Sequence, residues 1–484
     1  MRRAPESTRF ALAVFGCRSN QEEIEAIRSH LIALGLQETA FPGPAELVIV
    51  NTCAVTSSAM GQSRRAIRRA ARQGGGDSWI LATGCGAQLD PRSLAALPAV
   101  GLVAGNGEKT LLPRFLAALA EGPFPPGRRR VAAALDAAGL HPREETAGAW
   151  ICRNGEAAGS GFLSRADGVQ SARTRVSLKI QDGCDRTCSY CVVSRLRGRP
   201  RSRPPGEVVG EVQRLTAAGH REIVLTGINL GLYGQDWEGA DPAPGAGLAA
   251  LLDRLGAISD LGRVRLSSLE PDTLGAGLID RLAEADWICP HLHLALQSGH
   301  ADVLQRMKRS YSPGDALRIV DRLRRARPTF GIGVDVLAGF PGETDEAFRT
   351  TLSFVEGLPA TYLHAFAYSE RPGTEARELP GQIPLPARRE RVRLLRALDV
   401  RLRTRFQARL AGRRCRLLVE RSTSAGFEGV AGEYVRMRGG ERGPDCGALI
   451  DVVAGEPLSP SLQSCRVVAA DPGQDAKHVP LLSS

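Results

Sequence analysis

Three cysteines within a single short loop, Cys184, Cys188 and Cys191, constrain this chain more than any other feature of its sequence. They lie in TRVSLKIQDGCDRTCSYCVVSRLRGRPRSRP, just past a run from Val176 to Gln181 that reads as a β-strand. The spacing Cys-x3-Cys-x2-Cys supplies three thiolates. Structural zinc is closed by four ligands, whereas three thiolates on a 4Fe-4S cluster leave one iron open to an exogenous ligand. A cluster-bearing loop at a strand end points to an α/β fold, because such folds place their ligands at the carboxyl edge of the sheet.

The first 120 residues repeat this arrangement with one cysteine at a time. Ala11 to Gly16 reads as a strand ending at Cys17, and Asn20 as the N-cap of a helix with Ile24, Ile27, Leu31 and Leu34 on one face. Ala45 to Asn51 is a buried-type strand ending at Cys53, SSAMGQSRRAIRRAARQ is a basic helix, and Trp79 to Thr83 leads into Cys85. Three thiols in equivalent places (FGC, NTC, TGC) at the ends of successive parallel strands are expected to converge on a second three-thiolate cluster.

Residues 121–173 are expected to be a linker with an irregular hairpin, their Pro/Gly-rich start giving way to sequence without a sustained period. Six strand-like runs then alternate with helical ones from 174 to 383: Val176 to Gln181, Glu222 to Gly227, Arg263 to Leu269, His291 to Gln297, Gly331 to Ala338 and Tyr362 to Tyr368. Six units without a seventh or eighth predict an open, partial (β/α)6 barrel, with the site at the carboxyl ends of its strands. Residues 384–411 read as an arginine-studded connecting helix, 412–470 as a small β-barrel of short strands, among them a single one from Gly429 to Arg438, and 471–484 as a disordered tail. Cys152 is expected to be a free thiol, and Cys289, Cys415, Cys446 and Cys465 to be structural.

Eleven cysteines in 484 residues are too few for a disulfide scaffold and favour a reducing, cytoplasmic setting. No apolar run approaches about 18 residues, so no membrane span is expected. The net charge of +11 and pI of about 9.4 favour a polyanionic partner, with nucleic acid ahead of membrane. All but four of the 63 basic residues are arginine, the residue that grips phosphate bidentately.

With both cysteine sets and the phrases EIVLTGINLGLYG, LSSLEP, LALQSGHADVLQRMKRSY, DVLAGFPGET and AYSERPGTEA, the chain resembles the radical SAM methylthiotransferases over nearly its whole length. The resemblance implies two 4Fe-4S clusters, one on Cys17, Cys53 and Cys85 and one on Cys184, Cys188 and Cys191, with S-adenosylmethionine (SAM) on the open iron of the second. It implies that Tyr190 and Gly227 border SAM, and that the C-terminal piece is a TRAM-like RNA-binding barrel. From their own positions, Gln297 and Ser298 at the fourth strand's end are candidates to bond ribose hydroxyls, with a structural cap as the competing account, and Gly339 lies in a turn suited to edging the adenine. Among the members of that family, GCRSNQEEIEAI, TGCGAQ and RGRPRSRPPGEVVGEV are most similar to those acting on N6-threonylcarbamoyladenosine at tRNA position 37. Arg197, Arg199, Arg201, Arg203 and Arg371 are the candidate RNA or anion contacts. The implied partners are a tRNA anticodon stem-loop, a flavodoxin- or ferredoxin-type reductant and a sulfur donor. Methylthiolation of isopentenyladenosine or of a ribosomal-protein aspartate, and a non-catalytic RNA-binding iron–sulfur protein, are the rival readings.

Overall fold

The computed structural model describes residues 8–74, 77–153, 161–169, 171, 173–241, 243–440 and 443–468. Its N-terminal sheet has the order β2-β1-β3-β4-β5-β7-β6, with β1 Arg9–Val14, β2 Gln37–Glu38, β3 Leu47–Thr52, β4 Trp79–Gly84, β5 Val100–Ala104, β6 Glu144–Thr146 and β7 Ala149–Cys152. β3 and β4 are buried at every residue, as parallel strands covered on both faces must be. Helix α1 (Arg18–Ala33) seals one side through Ile24, Ile27 and Leu31, and α2 (Ser57–Gln73) seals the other through Ala66, Ile67 and Ala70. The registers set Val14 opposite Asn51 and Thr52 opposite Gly84, so β1, β3 and β4 end level.

Two sequence expectations change here. Asn20 lies inside α1, whose N-cap is Cys17. Part of the expected linker joins the N-terminal domain: a helix spans Arg128–Ala138, and the β6/β7 hairpin adds to β5, with Ala104 opposite Cys152. The helix's period is faint in the sequence because its apolar stripe is only Val131, Ala134, Leu135 and Ala138 in an alanine background.

The central strands are β8 Arg175–Lys179, β11 Glu222–Thr226, β12 Arg263–Leu266, β13 His291–Gln297, β14 Gly331–Ala338 and β15 Tyr362–Ala367, and the short antiparallel pair β9 Gln181–Asp182 and β10 Arg201–Ser202 flanks the cysteine loop. β8, β11 and β12 form one parallel sheet and β13, β14 and β15 another. Parallel bridges at Val264–Ile288 and Leu269–Leu294 join them into a six-stranded arc, the open barrel expected. The long helix Leu385–Leu410 packs on this core through Leu395, Leu398 and Leu402.

A closed barrel of order β16-β17-β18-β20-β19 ends the described chain, formed by β16 Arg414–Thr423, β17 Gly426–Ala431, β18 Arg436–Gly439, β19 Leu449–Ser459 and β20 Leu462–Val467. The single strand expected from Gly429 to Arg438 is broken by a turn in which Tyr434 has φ +69°. That turn is gripped by the central domain. Arg263 donates to the carbonyls of Arg416 and Val430, Arg265 to those of Ala431 and Gly432, and Glu222 lies buried between the two guanidiniums. The tail from 471 lies outside the described residues. Among the described residues no helix is long and apolar enough to cross a membrane.

Candidate active site at the barrel mouth

Cys17, Cys53 and Cys85 each follow directly on a sheet strand or its terminal turn, and β1, β3 and β4 are neighbours. Gly16 and Gly84, just before two of the thiols, have φ of +95° and +96°, which turn the chain sharply at the sheet edge at little cost only in glycine. A Cβ on Gly16 would lie 2.7 Å from Cys53 Sγ, so the first turn sits directly on the second thiol. Burial pushes the Cys53 thiol up to about 11, with Cys85 and Cys17 adding to the effect as neighbouring thiolates. Cys17 is exposed to the cavity described below, whereas Cys53 and Cys85 are buried.

The central domain supplies the cations around this set. Cys85 Sγ accepts from Arg197 Nε at 3.3 Å, and Arg371, buried beside Cys53, donates to Ser57 Oγ at 3.1 Å while its Nε has no hydrogen-bond partner among the described residues. Arg197 is 1% exposed and crosses the domain boundary: it donates to Asn20 Oδ1 at 2.7 Å and Glu23 Oε1 at 2.6 Å and pairs with Asp182 at 3.2 Å. Lys109 and Lys179 complete the cage around Glu23.

The second set is local. Gly183 has φ +74°, and a Cβ there would lie 2.0 Å from the Arg199 carbonyl, so the loop requires glycine just before Cys184. The Cys184 N–H donates to the Gly198 carbonyl at 3.0 Å and the Ser189 hydroxyl to that of Arg306 at 2.8 Å. Arg309, buried, donates to Cys188 Sγ at 3.1 Å and to Glu270 at 2.8 Å, and the Val193 N–H donates to Cys191 Sγ at 3.4 Å. Burial pushes Cys184 up to about 11 and Cys191 to about 12. Such thiols are protonated at neutral pH unless a metal displaces the proton. Both sets therefore fit iron–sulfur ligation: three soft donors, N–H groups aimed at sulfur, and a cation beside each set.

Two cavities open between them. One of about 410 Å3 is lined by Cys17, Arg18, Gly227, Ser267, His293, His364 and Tyr434. Another of about 250 Å3 is lined by Val55, Thr56, Tyr190, Cys191, Gln297, Leu337 and Tyr368. Asp335 and Phe366 belong to both walls, so the exposed thiol of the first set and a thiol of the second border adjoining space. Val192 and Leu196 pack on Ala54 and Cys85, closing the remaining gap with an apolar seam. In the larger cavity, Asp335 Oδ1 lies 2.9 Å from His293 Nε2 and 3.3 Å from His364 Nδ1. Burial raises the Asp335 carboxyl, but the two imidazoles outweigh it and hold it at about 2. Arg18 donates to Tyr434 Oη at 2.9 Å and pairs with no carboxylate among the described residues.

Tyr190, Gln297 and Gly227 line these cavities. Four other candidates are engaged within the protein. Ser298 is buried and its hydroxyl is taken by Thr351 and the His300 N–H, which makes it a structural cap. Gly339 packs on Arg388 and gives its N–H to Glu343. Arg197 and Arg203 are buried and bound to Glu23 and Glu207, so neither presents a guanidinium to phosphate. Arg201 pairs with Asp182 at 3.5 Å, and Arg199 is exposed. Arg18, Arg309, Phe366 and Tyr434 join the site without a signal in their local sequence, since distant segments bring them to the cavities and thiols.

The radical SAM superfamily profile matches residues 178–355, and the profile of an uncharacterized protein family, UPF0004, matches 9–105. The threonylcarbamoyladenosine tRNA methylthiotransferase MtaB of Rickettsia prowazekii is 34% identical over 86% of this chain and 89% of its own length. That of Aquifex aeolicus is 34% identical over 84% and 92%. A tRNA-2-methylthio-N(6)-dimethylallyladenosine synthase of Sphingopyxis alaskensis is 33% identical over 85% and 86%. Among solved structures, the radical SAM methyltransferase TsrM of Kitasatospora setae shares the fold, with a TM-score of 0.54 at 19% identity over 77% of this chain and 74% of that one.

Proposed function

Because the chain belongs to the radical SAM methylthiotransferase family, we propose that it converts N6-threonylcarbamoyladenosine at tRNA position 37 to the 2-methylthio derivative. Cys184, Cys188 and Cys191 would hold the 4Fe-4S cluster that binds SAM, and Cys17, Cys53 and Cys85 a second cluster that carries the sulfur. When bound, a cluster with SAM supplies a carbon radical able to take a hydrogen atom from an unactivated C–H bond, which no side-chain acid or base can readily do. The observation that carries this reading is the adjoining space bordered by Cys17 and Cys191, with Asp335 and Phe366 in the common wall.

The chain's own residues do the positioning. Gln181 accepts the N–H groups of Ile228 and Asn229, which fixes the turn that brings Gly227 to the cavity. Tyr190 stands edge-on to Phe340 with ring centroids 6.5 Å apart and offers a ring face for an adenine. The seam of Val192 and Leu196 against Cys85 places apolar side chains between the domains beside the thiol. An anticodon-loop base can be splayed into a cavity of this size.

For the substituent, Arg18 matters most. Its guanidinium faces a cavity furnished with serine hydroxyls and imidazoles and suits the carboxylate of a threonylcarbamoyl group better than an isopentenyl chain. Nucleoside digests of tRNA from cells with and without the gene test the reading: loss of 2-methylthio-N6-threonylcarbamoyladenosine is expected, and its normal level in the knockout would end it. Arg18→Leu should lower kcat/KM on that substrate by about 10- to 100-fold, the value of a charge-assisted hydrogen bond, while substrate-free SAM cleavage stays unchanged.

A further inference from the structure

Helix α2 carries a feature that the chemistry at the barrel mouth does not use. Arg65, Arg68, Arg69 and Arg72 stand at i, i+3, i+4 and i+7, one stripe along the helix, and all four are exposed. The buried stripe, Ser63, Ala66, Ile67 and Ala70, is displaced from them by two residues and so lies on the opposite side. No Asp or Glu occurs anywhere in Ser57–Gln73, and none of the four has an ion-pair or hydrogen-bond partner among the described residues. Elsewhere the surface arginines are commonly neutralised: Arg322 by Asp280, Arg393 by Glu390, Arg401 by Glu356. A stripe of like charges at helical spacing repels itself and gives the folded state nothing in return.

The position of the helix says what the stripe is for. Thr56, its N-cap, lines the cavity beside Cys191, and Ser57 is bonded to Ser369 and touched by Arg371. From that rim the helix runs back along β3 and β4, so at 1.5 Å per residue the arginines lie roughly 13 to 24 Å from the cavity edge. We infer that this stripe is an RNA-backbone track: it grips successive phosphates of the stem whose loop base enters the cavity, in addition to whatever the C-terminal barrel binds. The inference rests on the tRNA reading above. Guanidiniums in a row, without aromatic or apolar neighbours among them, suit a phosphodiester chain, which needs charge at intervals and no sequence readout.

The test replaces all four arginines by glutamine, which keeps helix propensity, in the full-length reconstituted protein. Its affinity for unmodified tRNA should fall about tenfold or more near 0.1 M salt, and the slope of log K against log[salt] should shrink by about 2 to 3, while substrate-free SAM cleavage is unchanged. Lysine at the same four positions should restore most of the slope. A wild type that binds tRNA and a glutamine variant equal to it in affinity and slope would overturn the track alone. A wild type that binds no tRNA would remove the substrate reading and the track with it. Loss of binding to phosphatidylserine vesicles with tRNA affinity intact would assign the stripe to a membrane surface and also overturn the proposal.

Discussion

Cys184, Cys188 and Cys191 lie in one loop, whereas Cys17, Cys53 and Cys85 come together only because β1, β3 and β4 are neighbours in a sheet that separates them with helices in sequence. The loop set takes its cation, Arg309, from its own domain. The strand-borne set takes Arg197 and Arg371 from the other domain. One site is therefore written in spacing and the other in topology, and the second is complete only when the two domains are docked. Of this second set, Cys17 alone is exposed, toward the cavity.

The largest effect should separate the two sets by function. Cys188→Ala should abolish both 5′-deoxyadenosine formation and methylthio product, whereas Cys17→Ala should abolish product and leave substrate-free SAM cleavage within about threefold of wild type. Equal loss of SAM cleavage in the two variants would break the comparison.

Next comes the docking itself. Arg197→Met removes one of the cations that hold Glu23 and Asp182 in a buried cage, with Lys109 and Lys179 still in place, and should destabilise the protein by about 2 to 3 kcal/mol in denaturant unfolding. Arg371→Met gives up a single hydrogen bond to Ser57 and should cost about 1 kcal/mol. Similar costs for the two would mean that Arg197 is not the joint between the domains.

The third effect depends on pH and concerns the C-terminal turn that brings Tyr434 to the cavity. Burial raises the Glu222 carboxyl, but Arg265 and Arg263 outweigh it and hold it at about 2, against 4.5 for an ordinary glutamate. Its folded value is depressed, so its contribution is fully present above about pH 4.5 and is lost as the pH falls from there toward 2. The contribution is on the order of 3 kcal/mol. The stability gap between wild type and Glu222→Gln should narrow over that interval, and a constant gap would show that the carboxylate charge is not what holds the turn.

What the sequence made legible follows the same division. The loop triad, the six central strands and the strand-end positions of Cys17, Cys53 and Cys85 were readable because each is encoded in short-range spacing or periodicity. The helix Arg128–Ala138 was hidden by its alanines, and the break at Tyr434 by residues that read as one continuous strand. Arg197, standing in an arginine run, reads from sequence as a surface phosphate contact. Only the fold shows that Glu23, distant in sequence, reaches it. Tyr434 and Arg18 meet across 416 residues, a pairing that no local pattern encodes.

Iron and sulfide counts after anaerobic reconstitution bear on the two-site account most directly. About eight irons per chain are expected for the wild type, and about four both for a Cys17/Cys53/Cys85→Ala variant and for a Cys184/Cys188/Cys191→Ala variant. A wild type that holds about four irons and loses none of them in the first variant would contradict it.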